Sequence, residues 1–227
     1  MHGEFQRAVR LVWRNAGAFA LLCLVLPFPA RVVGMLVPGG VFVDMLAQII
    51  FPAAILFVAA SAHAGRASGV ADAIALSLRR SWKLALASLF SASIVFLGLI
   101  VFVVPGVLFA LRFALVNCAI ALGDAGPVDA LKRSDTLTAG RRWDIFFAFA
   151  VIMGTASIVS VKPTFELLAR AGAPFLGLPP EVVLLATGAY VTGLVAEILM
   201  AATLFFFYVD AVAREAPPAA TAPGPTS

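Results

Sequence analysis

An all-α fold is expected from the sequence: a polytopic membrane helix bundle of about six spans in three hairpins, each hairpin preceded by an interfacial amphipathic helix. Three observations lead there. Hydrophobic residues fill 62% of the 227 positions and charged residues only 12%, against roughly 25% charged in a water-soluble domain. Lipid therefore has to replace water around most of the chain. Several apolar runs reach the ~20 residues that cross a bilayer. The Lys and Arg residues, which leave a formal net charge of +4, gather at the ends of those runs. That is a positive-inside pattern, and it argues against nucleic acid as a partner.

The first unit begins with a helix over residues 3–14, which sets Phe5, Val9, Val12 and Trp13 on one face and Arg7, Arg10 and Arg14 on the other. Such a helix lies in the membrane interface. Span 1 is expected over about 16–37, kinked at Pro27 and Pro29. This start imitates a secretory signal, but Glu4 in the charged region and the poor cleavage site Phe28-Pro29-Ala30 predict that the segment is retained. Pro38-Gly39-Gly40 marks a turn, and span 2 follows over about 41–62, ending near His63 and Arg66.

The second unit repeats the design. Val70, Ile74, Leu78 and Trp82 recur every four residues while Asp72, Arg79, Arg80 and Lys83 face away, which predicts a second interfacial helix from Gly69. Span 3 is expected over about 84–104, a turn at Pro105-Gly106, and span 4 over about 107–122. In the third unit Pro127 suits the first turn of a short basic helix, and Gly140 suits its left-handed C-terminal cap. Span 5 covers about 144–161; Lys162-Pro163 then opens the longest loop, to Pro180, in which Glu166 and Arg170 support one helical turn. Span 6 covers about 182–209. Residues 1–215 are expected to form one membrane domain, and 216–227, APPAATAPGPTS, a disordered tail.

Trp13, Trp82 and Trp143, the three tryptophans, each stand beside Arg or Lys just before an odd-numbered span, as headgroup-level anchors would. All Lys and Arg except Arg31, Arg112, Lys162 and Arg170 fall before those spans or after the last one. Both termini are therefore expected on the cytoplasmic side of the cell (inner) membrane.

Charges within spans cost on the order of 2.5–3.5 kcal/mol at mid-membrane, so Arg31, Asp44, Arg112 and Glu197 are the candidate intramembrane polar site. An Arg31–Asp44–Arg112 cluster near the outer boundary fits the spacing, as an anion site or as snorkelling and a structural ion pair; the structural alternative suits Arg31 and Asp44 better. Glu197 near mid-span 6 is either part of a proton or cation pathway or a neutral acid bonded to a neighbouring helix, with Asn117 or the Ser and Thr of span 5 as partners. Arg79, Arg80, Lys132, Arg133, Arg141 and Arg142 are candidate contacts to anionic lipid headgroups. His2 and His63 are the only histidines, and Cys23 and Cys118 lie in apolar runs, so no metal, cofactor or catalytic constellation is expected.

One stretch resembles a known family. PGVLFALRFA, then GDAGPVDALKRSDTLTAGRRW, between Val104 and Trp143, is similar to the bacterial membrane domain of the glycerophosphoryl diester phosphodiesterase type and to related uncharacterised multi-pass families. The matching positions are Pro105, Gly106, Arg112, Pro127, Ala130, Leu131, Ser134, Leu137, Gly140 and Trp143; Asn117 stands where the family pattern has a proline. The resemblance implies the membrane domain without the catalytic barrel of ~250 residues that can be fused to it. The expectation is thus a non-catalytic membrane module that binds membrane lipids, a membrane-protein partner or its own copy. The alternative is a small transporter or channel with Arg112 and Glu197 along its pathway.

Overall fold

Residues 2–36, 41–66, 69–169 and 179–215 are described in a computed structural model. They form ten helices and no strand: α1 (His2–Arg14), α2 (Ala16–Val25), α3 (Pro27–Leu36), α4 (Val41–His63), α5 (Val70–Val101), α6 (Val103–Arg112), α7 (Val116–Gly123), α8 (Pro127–Thr138), α9 (Arg142–Ala169) and α10 (Pro180–Glu215). Four stretches are long and apolar enough to cross a membrane: Phe42–His63, Val70–Val101, Val103–Gly123 and Leu184–Glu215. The bent pair at the start of the chain counts as a fifth only when its two helices are taken as one span. The all-α membrane bundle is as the hydrophobic runs predicted, and α3 packs on α4, α5 on α6 and α9 on α10, so the three hairpins form.

The start of the chain follows its sequence closely. Helix α1 meets α2 and the following turn of α3 at 75°. At the corner the Asn15 amide side chain donates to the Leu11 carbonyl at 2.9 Å, satisfying an acceptor that the ending helix leaves open. The kink in span 1 falls between Val25 and Pro27, where the proline ring bars an unbroken helix.

Elsewhere the boundaries moved. Helix α5 is one continuous rod of 32 residues, about 48 Å at 1.5 Å per residue, so the second amphipathic stretch is the lower half of span 3 and no separate interfacial helix. No Gly or Pro interrupts SWKLALASLF to stop it. The turn into span 4 is Phe102 alone, extended at φ −161° and ψ 149°. Pro105 and Gly106 lie in the first turns of α6, where a proline costs little. Gly106 serves the packing instead: a Cβ there would sit 2.8 Å from the Leu99 backbone nitrogen and 2.4 Å from its Cγ. Helix α9 runs through Lys162-Pro163 to Ala169, which removes most of the expected loop; Arg170, Pro38-Gly39-Gly40 and the tail lie outside the described residues. Gly140 does take the left-handed conformation foreseen for it, at φ +78°.

The interior is built by α4, α7 and the C-terminal half of α10. Phe51, Ile55, Leu115, Ile120, Ala202 and Phe207 are buried in one cluster, with Ala8 of α1, Leu22 of α2, Leu84 of α5 and Ala130 of α8 closing around it.

Candidate functional site

Span 4 is broken in its middle. Helix α6 ends at Arg112 and α7 starts at Val116, which frees backbone groups that an apolar surrounding cannot satisfy. Helix α8 satisfies them. The Ser134 hydroxyl donates to the Arg112 carbonyl at 2.7 Å and accepts from the Leu115 N–H at 3.1 Å. The Thr138 hydroxyl, one turn on, lies 3.4 Å from the same carbonyl. Both hydroxyl residues are completely buried. The short basic helix is thus docked into the break by its i,i+4 hydroxyl pair.

That docking carries Asp135 to two guanidinium groups. Its Oδ1 lies 2.7 Å from Arg142 Nη2 and 3.5 Å from Arg112 Nε. Two cations share one carboxylate and leave a net single positive charge. The Arg112 guanidinium also lies 5.7 Å from the Phe109 ring centroid, within cation–π range. The Arg142 Nε is buried and has no acceptor among the described residues. Beside this group runs an apolar groove of about 560 Å³ between α6 and α9, walled by Val103, Val107, Leu108, Leu111, Trp143 and Phe146, with Arg142 at its rim. A charged rim on an apolar trough is the shape of an amphiphile, one anionic end and one hydrocarbon end.

The other intramembrane candidates form a separate group. Arg31 pairs with Asp44 at 2.7 Å, and its guanidinium lies 5.9 Å from the Tyr190 ring centroid. The Tyr190 hydroxyl is buried without a partner. Glu197 lies within electrostatic range of Cys23 and Tyr190. The three-residue cluster with Arg112 does not form, because the break in span 4 commits Arg112 to Asp135. Arg112 and Glu197 are not joined by any contact among the described residues.

The six headgroup candidates divide. Arg80 donates to the Ile120 and Ala121 carbonyls at 2.9 and 2.7 Å, capping the end of α7 with a cation where the helix dipole favours one. Asp124, left-handed at φ 51°, binds Lys83 at 2.9 Å and lies 3.6 Å from Arg80; the Lys83 hydrogen bond, then the Arg80 charge, hold its carboxyl below the usual range. Arg133 is 3.9 Å from Glu215. Arg141 is partly buried, bound to Glu4 and stacked 4.7 Å from the Phe207 ring centroid. Arg142 holds Asp135. Among the described residues only Arg79 and Lys132 of the six are exposed with no ion pair. Helix ends are where chains place cations for lipids and also where carbonyls and acids need them, so the sequence pattern does not separate the two.

Sequence reasoning did not single out Glu4, Asp135 or Thr138. The signal available was the Ser134/Thr138 spacing on a helix of otherwise solvated character, and Ser134 already stood among the resemblance positions. Four of those positions meet here: Arg112 and Ser134 at the break, Gly140 and Trp143 at the groove.

Residues 52–211 match a family described as a domain of unknown function, DUF7847. The chain belongs to this family. The matched range starts in α4 and ends in α10, so it contains the break, the Arg112–Asp135–Arg142 group and the groove, and excludes α1 to α3. The family's description carries no activity and no link to the phosphodiesterase-type membrane domain. No curated protein and no solved structure matches the chain.

Proposed function

We propose that this protein is a non-catalytic, multi-pass protein of the cell (inner) membrane, both termini cytoplasmic, that binds an anionic phospholipid in the groove between α6 and α9. The observation that carries the reading is the Arg112–Asp135–Arg142 group, which reaches the rim of an apolar trough through Arg142. Its net single positive charge complements the single negative charge of a phosphodiester headgroup. Guanidinium groups bind phosphate oxygens with paired donors, and the Arg142 guanidinium stands at the rim of the trough. Val103, Val107 and Leu108 then receive an acyl chain. Exposed Arg79 and Lys132 add general attraction to an anionic leaflet, about 1 kcal/mol each. The orientation rests on the crowding of Lys and Arg before the odd-numbered spans.

The test is native mass spectrometry of the protein released together with its surrounding lipid, comparing wild type, Arg112→Ala and Leu108→Trp. The first variant removes a headgroup ligand and leaves the backbone bonds to Ser134 in place; the second fills the trough. A defined anionic phospholipid held by the wild type and lost from both folded variants is the expected result. Equal retention by Arg112→Ala, or no retained lipid in the wild type, refutes the proposal.

A further inference from the structure

A second concave surface lies where α1 crosses the end of α4. A cleft of about 470 Å³ is lined by Arg7, Arg10, Arg14, His63 and Arg66, with Phe206 at its back. Arg7, Arg10 and Arg14 share one face of α1, and like charges at such spacing repel. Only one of them is relieved: Arg7 binds Asp210 at 2.8 Å and stacks 5.2 Å from the Phe206 ring centroid. Arg10, Arg14 and Arg66 are exposed and make no ion pair among the described residues. No acid lines the cleft among the described residues.

The negative end of the α4 dipole, roughly half an elementary charge, offsets only part of this charge. Its last carbonyls are closed off by the turn that follows: Ala64 N–H donates to Ala60 O at 3.0 Å, Gly65 N–H to Ala62 O at 3.2 Å and Arg66 N–H to Ser61 O at 2.9 Å, with Gly65 left-handed at φ +68°. Arg66, which closes this C-terminal cap, lines the cleft together with Arg10 and Arg14 of α1. His63 is held edge-on between Phe205 and Phe206, both rings 5.7 Å away, and adds a ring N–H to the cleft wall.

We propose that this cleft binds a phosphate group carrying two or more negative charges, on Arg10, Arg14 and Arg66. Three unneutralised guanidinium groups converging on one hollow exceed what a single phosphodiester requires, which sets this site apart from the α6–α9 groove. It shares no residue with that groove, so either reading stands or falls without the other.

The test uses the full chain in phosphatidylcholine nanodiscs. Inorganic pyrophosphate is titrated by calorimetry, and in a parallel arm nanodiscs containing phosphatidic acid are analysed by native mass spectrometry for lipid retained on the protein. The variant R10Q/R14Q/R66Q removes the three unpaired arginines; R133Q/R214Q removes two exposed charges elsewhere. Retention or affinity falls by at least about tenfold in the cleft variant, given what charged hydrogen bonds contribute, and stays within about twofold in the control. Arg66→Glu alone gives the same loss and covers the case in which the triple change unfolds α1. Saturable pyrophosphate binding identifies a soluble phosphate compound as the source; phosphatidic acid retention without pyrophosphate binding identifies a lipid headgroup. Absence of both, or an equal loss in the control, overturns the proposal.

Discussion

Helix α4 and the tip of the α5–α6 hairpin are equally apolar and have opposite surroundings. In α4 the stretch Ala53, Ala54, Ile55, Leu56, Val58 and Ala59 is buried throughout. In the hairpin tip Phe96, Leu97, Ile100, Val101, Phe102, Val103 and Val104 are all exposed, Phe102 at 72%. Lipid tails are as apolar as leucine, so no hydrophobic force distinguishes the two positions; close packing does. The alanines of α4 let neighbouring backbones approach, while the bulky tip meets hydrocarbon as well as it would meet protein. The sharpest way to break this contrast is one substitution in both places. Ile55, fully buried, and Ile100, 65% exposed, are both changed to Ala, and reversible unfolding in bicelles is measured. Ile55→Ala leaves a cavity and costs about 2 kcal/mol or more; Ile100→Ala leaves none and stays within ~0.5 kcal/mol. Equal costs would mean that the tip is packed against protein in the membrane, as in a second copy.

The tip is not without protein contacts, and its one seam sharpens the comparison. Gly98 and Gly106 face each other across α5 and α6: a Cβ on Gly98 would stand 3.0 Å from the Gly106 Cα. Gly106→Ala has to push back the Leu99 backbone, which its Cβ would approach to 2.8 Å. A cost of about 1–3 kcal/mol is expected, measured by the same unfolding experiment. An unchanged midpoint would show the hairpin free to part, and the groove on its other side would lose its fixed wall.

The parts of this architecture that rest on local chemistry were legible in the sequence. Pro27 kinks its span, Gly140 turns left-handed, and the alternation of basic and apolar faces marks α1 and α8. What depended on distant partners was not. Pro105-Gly106 reads as a turn because the pair is a turn signal, yet the chain reverses one step earlier at Phe102, since a proline in the first turn of a helix is tolerated and the glycine is needed against Leu99. The second amphipathic stretch has the same period as the first, but nothing between Lys83 and Leu84 ends a helix. For Arg112 the sequence supplied its depth in an apolar run and not its counter-ion, because Asp135 lies 23 residues on, on a helix docked through Ser134 and Thr138. Helical periodicity tells which face a residue occupies; it does not tell what that face meets.

The smallest effect expected tests how α1 is held to the charged end of the bundle, where ion pairs do what packing does in α4. Burial raises the Glu4 pKa, but its own backbone amide and the bound Arg141, with further positive charge nearby, outweigh that and leave it at about 2 against an ordinary 4.5. A carboxyl whose folded pKa is depressed contributes stability that is fully present above the unfolded value and is lost as pH falls through the folded one. The window is therefore between about pH 5 and pH 2. Other carboxylates titrate there too, so the quantity to measure is the difference in thermal midpoint between wild type and Glu4→Gln at each pH. At pH 5 the wild type melts higher by about 2–4 °C, the shift that roughly 1 kcal/mol gives in a chain of this size. Toward pH 2 the difference closes, because protonated Glu4 resembles the glutamine. A difference that stays constant with pH would mean that Arg141 is anchored by Phe207 and Asp144 alone, and that α1 is held, as α4 is, by packing of Ala8 and its neighbours.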